Sequence, residues 1–194
     1  PLSLQLIPFT DQTVTADPTS SQQIRQRIKF YKALMGPNAA VFADHVELSD
    51  GGLDFASEIG TGGVPATKFI WPDDESVRAR LQEIWHLPDE KKIVWQKWFG
   101  IYNHERPAEG EYLNLYDMAF DYPEAHAIRK DKGIYYAFYA PHFRGQIELR
   151  GLDEAKTYRI WDYANNCDLG LVNGAAAWLD VEFNESLLVV AMPA

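Results

Sequence analysis

Cysteine is nearly absent. Cys167 stands alone, which excludes an intramolecular disulfide and any Cys-x-x-Cys zinc or redox motif. Basic residues are also scarce, with 18 Lys and Arg against 28 Asp and Glu and a formal net charge of -10. That balance speaks against a nucleic-acid partner, whose grip depends on clustered Lys and Arg that neutralise phosphates, and against an anionic membrane surface. No apolar run reaches the length of a membrane span, and the opening PLSLQLIPF lacks the basic segment of a secretory signal. The chain begins at Pro1 and not at methionine, so its amino terminus is read as processed or as the cut end of a longer polypeptide. No Gly-Lys-Ser or Gly-Lys-Thr follows Gly60, Thr61, Gly62 and Gly63, which read as a flexible loop and not as a phosphate cradle. The other histidines, His86, His104, His126 and His142, show no ligand spacing. Neither a metal nor a cofactor is expected.

What is present is globular: 46% hydrophobic and 24% charged residues over 194 positions, enough to bury a real core. The chain is organised around residues 12–48. Thr13, Val14 and Thr15 form a β-branched run, and Pro18 disfavours the helical region at Asp17, so the aspartate falls where a strand ends. Thr19, Ser20 and Ser21 offer N-cap oxygens, with Gln23 placed as a capping box expects. Ile24, Ile28, Tyr31 and Met35 then make one apolar stripe of a helix, while Arg25, Lys29 and Lys32 fall elsewhere on the cylinder. Gly36 and Pro37 stop it. Residues 39–48 read as a mostly buried strand parallel to the first, with Asp44, His45 and Glu47 at its far end. The unit is therefore βαβ, and its carboxylates lie at the carboxyl ends of strands, where parallel α/β sheets and barrels handle ligands.

A Gly- and Ser-rich loop follows, interrupted by a short helix over residues 53–59, then a strand over 64–71 and two helices, one after Asp73 and Asp74 and one from Asp89. The latter helix places Ile93, Val94, Trp98 and Ile101 along one side, widened by Trp95, Phe99 and Tyr102. After Pro107 the pattern changes to six short alternating runs, at residues 124–129, 133–140, 145–150, 157–163, 177–183 and 187–192. Runs at this spacing predict an antiparallel sandwich.

Asp17 has two readings: a turn aspartate that caps the following helix, or a general acid and base for glycoside cleavage. His45, with Asp44 beside it, is either a hydrogen-bonded strand-end residue or one that orients a sugar hydroxyl.

The string TADPTSSQQIRQRIKFYKALMG followed by FADHVELSDGG resembles the closing part of the catalytic barrel in melibiase-like retaining α-galactosidases of the glycoside hydrolase family 36 type. The family's general acid and base sits in a Thr-Ser-Asp-Asn-like strand end, which maps onto Thr15, Ala16, Asp17 and Pro18, with Ala16 and Pro18 departing from the pattern. His45 maps onto a histidine closing the next strand. The resemblance implies the carboxyl-terminal portion of a (β/α)8 TIM barrel over residues 1–107 and an antiparallel β-sandwich over residues 108–194. It also implies a gap. The family's nucleophile lies in a Lys-Trp-Asp motif on an earlier strand, and no such motif occurs here. Retaining chemistry needs two carboxyls about 5 to 5.5 Å apart, and a few strands cannot close a barrel. The expected partners are thus a galactoside or oligosaccharide substrate and a missing amino-terminal barrel portion, with a homo-oligomer left open. A second reading makes the chain a non-catalytic carbohydrate-binding or assembly module.

Overall fold

The computed structural model describes residues 9–15, 20–46, 53–67, 89–117 and 120–194, with only the backbone of residues 15, 43–46, 67 and 91. Its first part is a parallel sheet, β1 (Gln12–Thr15), β2 (Ala40–Val46) and β3 (Val64–Thr67), in that spatial order. Helix α1 (Ser21–Met35) connects β1 to β2, and α2 (Leu53–Gly60) connects β2 to β3. The sequence dictates α1 closely. Ser20 caps it, accepting from the Gln23 amide, and Gly36 ends it at φ 73 with its N–H donating to the Lys32 carbonyl. Ile24 and Ile28 bury against Val41 of β2. The polar side of the helix behaves differently from the expectation: Arg25 and Lys32 are buried too, because a second layer covers them.

That layer follows α3 (Asp89–Glu105). It is a six-stranded antiparallel sheet of β4 (Glu111–Leu113), β5 (Glu124–Lys130), β6 (Gly133–Glu148), β7 (Thr157–Asp162), β8 (Cys167–Asn173) and β9 (Trp178–Pro193). Its spatial order is β4-β5-β6-β9-β7-β8. Two pairs of expected strands are fused. Residues 133–140 and 145–150 belong largely to β6, and residues 177–183 and 187–192 to β9, each strand 16 residues long. The reason lies at Pro141, which has no partner: Ala140 pairs with Glu185 and His142 with Asn184. Proline cannot donate to the ladder and is tolerated at such a bulge. The extra residue also switches the alternation, so that Ile134, Tyr136 and Phe138 before it and Phe143 and Ile147 after it all face one core.

A straight strand of this length spans about 50 Å at ~3.3 Å per residue. Ile147, Leu179 and Phe183 nevertheless share one buried cluster with Phe138, Val189 and Ile160, so the β6–β9 ribbon bends back over its own near half. The opposite face of that near half carries Ala137, Tyr139, Leu188 and Val190, and packs on Phe55, Ala56 and Ile59 of α2 and on Trp98 of α3. Ile93 of α3 is not part of this contact and is 66% exposed. β8 is an edge strand that the alternation does not announce, since Val172 is its one buried residue.

Gly60, Thr61, Gly62 and Gly63 form a buried turn and not an open loop. Thr61 Oγ1 donates to the Ser57 carbonyl, and the Gly63 N–H donates to the Glu58 carbonyl at 2.7 Å. Glycine is required here by packing: a Cβ on Gly60 would collide with the Tyr139 hydroxyl and the Ala137 methyl.

Candidate functional site

The parallel pairing brings together the ends of the strands that carry the sequence candidates. Thr15, the last residue of β1, lies opposite Ala43 of β2. β2 continues through Asp44, which pairs with Ala66, to an irregularity before Val46 that leaves His45 outside the ladder register. Asp44 and His45 are therefore placed by their backbone, and their side chains are outside the described residues, as is the whole of Asp17. Asp17 precedes Ser20, the cap of α1, by three positions.

The starts of the two crossover helices are tied to each other by Ser21 Oγ, which donates to Asp54 Oδ1 at 2.6 Å. Around them opens a cavity of about 600 Å³, lined by Ser20, Gln22 and Leu53 on the helical side, by Tyr139 and Glu185 on the sheet and by Tyr122 in the bend before β5. Its floor is a polar network that the sequence pattern did not mark. Arg25, in the second turn of α1, grips Glu124 of β5 with Nε at 2.8 Å and Nη2 at 2.7 Å, and gives Nη1 to Ser57 Oγ of α2 at 2.9 Å. Its guanidinium lies 4.1 Å from the centroid of the Tyr139 ring, and the Tyr139 hydroxyl donates to the Ala56 carbonyl. Such planar, two-pronged pairing is the geometry guanidinium favours.

Glu124 also meets His126 Nε2 at 2.9 Å, and His126 Nδ1 meets the Tyr112 hydroxyl at 2.7 Å. His126 is fully buried, and this desolvation lowers its pKa against the raising effect of Glu124. A neutral ring fixes the tautomer: Nε2 carries the proton toward the carboxylate, and Nδ1 accepts from Tyr112. Burial alone would raise the Glu124 pKa, but the hydrogen bonds from Arg25 and His126 outweigh it and bring the group down to about 2. Two turns further along α1 from Arg25, Lys32 Nζ donates to the Ala108 carbonyl at 2.7 Å, and burial lowers its pKa to about 8.

This network holds, and does not react. Glu124 is spoken for by two donors and His126 has no access to solvent, so neither is placed to transfer a proton to a ligand. Its effect is to clamp the first turns of α1 and α2 onto the sheet, and thereby to anchor the far end of the segment that contains Asp17. Nothing in local sequence separates Arg25 from an ordinary solvent-facing helix residue. The one cue is the count of basic positions opposite the apolar stripe, and it is shared by countless exposed helices.

No family model matches the sequence. An A type blood α-D-galactosamine galactosaminidase from Flavonifractor plautii is 36% identical in an alignment that covers 96% of this chain and 16% of the relative. Among solved structures, a GH27 β-L-arabinopyranosidase from Geobacillus stearothermophilus matches with a TM-score of 0.62, at 13% identity, over 99% of this chain and 48% of its own. α-Galactosidase I from Mortierella vinacea matches with a TM-score of 0.53, at 6% identity, over 94% of this chain and 51% of its own. The chain thus spans a small part of the curated relative and about half of these structures, whose likeness is one of fold.

Proposed function

Because the chain resembles the carboxyl-terminal region of α-galactosidase-like glycoside hydrolases in sequence and in fold, we propose that it is that region of a retaining enzyme acting on terminal α-galactosides or α-galactosaminides. In this reading residues 1–107 close a TIM barrel and residues 108–194 form the β-sandwich beside it. Asp17 is the general acid and base, and Asp44 and His45 bind the sugar. The observation that carries the reading is the parallel β1–β2 register, with Thr15 opposite Ala43. It sets the strand end leading into Asp17 beside the strand end that bears Asp44 and His45, the face of a barrel on which catalysis is found.

In the reaction, the protonated carboxyl of Asp17 gives its proton to the glycosidic oxygen as a second carboxylate attacks the anomeric carbon and the bond to the leaving group breaks. The Asp17 carboxylate then takes a proton from the water that displaces the enzyme from the sugar, which restores both groups and retains the configuration. The attacking carboxylate comes from polypeptide outside this chain. Two features support that division: β1 pairs with β2 alone among the described strands, as an edge awaiting a neighbour would, and Val14, on the sheet face opposite α1, is 58% exposed, as the face of an incomplete barrel interior would be.

The test is hydrolysis of aryl α-galactoside and aryl α-galactosaminide by this chain joined to an upstream barrel portion. Asp17→Asn is expected to lower kcat by about 10² to 10⁴-fold. Unchanged turnover would remove Asp17 from the reaction.

A further inference from the structure

A second cavity, of about 540 Å³, lies between the end of α3 and the hairpin that joins β7 to β8. It shares no residue with the cavity at the helix starts. Lys97, His104 and Glu105 come from the helix, and Trp161, Asn165 and Asn166 from the hairpin. Both walls are held in place. Glu105 is mostly buried, its Oε2 accepts from the Tyr135 hydroxyl at 2.9 Å, and its Oε1 lies 2.8 Å from His104 Nδ1. Opposite it, Asp162 is 5% exposed and organises the hairpin, with Oδ1 accepting from the Ala164 and Asn165 amides. Asn165 Nδ2 donates to Asp162 Oδ2 at 2.8 Å, which leaves the amide oxygen of Asn165 as a fixed acceptor. Asn166 is exposed at φ 56.

We propose that this cavity between α3 and the β7–β8 hairpin binds an uncharged saccharide, a hexose or N-acetylhexosamine unit, at a site separate from the catalytic one. The chemistry of the walls selects that class. An indole offers an apolar surface to the C–H face of a pyranose ring. The Glu105 carboxylate and the Asn165 amide, held by their own hydrogen bonds, meet neighbouring hydroxyls without first having to be ordered, and the exposed Asn166 amide adds a further donor and acceptor beside them. Lys97 and Glu105 balance in charge, so neither an anionic nor a cationic ligand is favoured. The volume suits one or two sugar rings. The inference does not depend on Asp17 or on the upstream barrel.

The experiment is titration of the 194-residue chain with methyl α-D-galactopyranoside and with N-acetylgalactosamine, followed in ¹H–¹⁵N correlation spectra. Expected are saturating shifts at the Trp161 indole N–H, the Asn165 and Asn166 side-chain amides and the Gly100 N–H, with a Kd on the order of 1 mM. Asn166→Gly, which keeps the positive φ and removes the amide, should weaken binding about 3 to 10-fold, the loss of one hydrogen bond. Trp161→Ala should weaken it further, and Asn166→Gly carries the test alone if that variant fails to fold. Asp17→Asn should leave the affinity unchanged, which separates this site from the catalytic reading. No saturable shift well above millimolar sugar, shifts centred on Tyr122 and Glu185, or an affinity indifferent to Asn166→Gly would each overturn the proposal.

Discussion

The antiparallel sheet and the parallel strands hide their apolar side chains by different means. β6 and β9 fold back over their own near halves, so that Phe138 and Val189 meet Ile147 and Phe183 from the same two strands. α2 and α3 then cover the outer face of the near half. Each buried surface there has its counterpart within the chain. Under α1, by contrast, Ile24, Ile28 and Val41 make a small cluster, while Phe30 and Leu34 on the other side of the helix remain 58% and 41% exposed. That flank lines a shallow cavity with Ala33 and Asn114 and has no matching apolar surface among the described residues. The contrast teaches which part supports which. The sheet closes its inner core with its own strands and shares its outer face with the helices, and the parallel part is joined to this layer by the apolar side of α2 and by the basic side of α1: Arg25 on Glu124, Lys29 on the Tyr116 carbonyl and Lys32 on the Ala108 carbonyl.

The largest effect is expected where the sheet closes its core. Phe138 is 2% exposed, and its ring stacks with that of Tyr136. Phe138→Ala removes a ring from a site walled on both sides by strands that are fixed to each other, and should cost about 3–5 kcal/mol. Urea unfolding of the chain measures it. A loss under about 1 kcal/mol would mean that the β6–β9 ribbon does not bend over itself, and the contrast between the two regions would fail.

A smaller loss, on the order of 3 kcal/mol, is expected from Glu124→Gln, which leaves the Arg25 guanidinium buried with a neutral partner. It should loosen the parallel part from the sheet more than it harms the sheet. A transition followed by a probe in α1 should therefore separate from one followed at Trp161. The pH dependence gives an independent reading. Glu124 titrates at about 2 when folded against 4.5 unpaired, so the pair stabilises the fold above pH 4.5 and that contribution is lost as the pH falls toward 2. His126, whose pKa is lowered by burial from 6.5, acts with the same sign. The unfolded chain binds the proton first, so stability begins to fall below pH 6.5. Glu124→Gln should flatten the acid limb below pH 4.5; an unchanged profile would show that the clamp does not set it.

How much of this was written locally follows the same division. The caps of α1, its stripe of Ile24 and Ile28, the short helix over Leu53–Gly60 and the parallel β2 were all legible, because each rests on neighbours within a turn or a strand. The burial of Arg25 and Lys32 was not, since a basic helix side facing water and one facing a distant carboxylate have the same spelling. Glu124 lies 99 positions from Arg25. The gaps between residues 133–140 and 145–150 and between residues 177–183 and 187–192 read as breaks between strands, yet both runs are continuous across one bulge, where Pro141 stands unpaired opposite Asn184 and Glu185, a distinction made by register across strands. Gly60, Gly62 and Gly63 read as freedom and turn out to be close packing. Of the candidate site, the chain order and the strand pairing were legible, and the clamp beneath the cavity was not.

The smallest effect tests the contrast at the end of α1 nearest Asp17. Ser20 is exposed, and its side chain accepts from the Gln23 amide at 3.4 Å, a long bond that belongs at the low end of the range for caps. Ser20→Ala should cost about 0.5 to 1 kcal/mol. The loss is small because Arg25 pins the helix one turn further on, so fraying of the first turn stops at the clamp. In the Glu124→Gln background that stop is gone, and the same change should cost more than it does alone, a coupling that a double-mutant cycle measures. Amide exchange at residues 21–24 should quicken in the double variant by more than the product of the single effects. Strict additivity would mean that the cap and the clamp act independently, and that the sheet does not reach through Arg25 to the start of the helix.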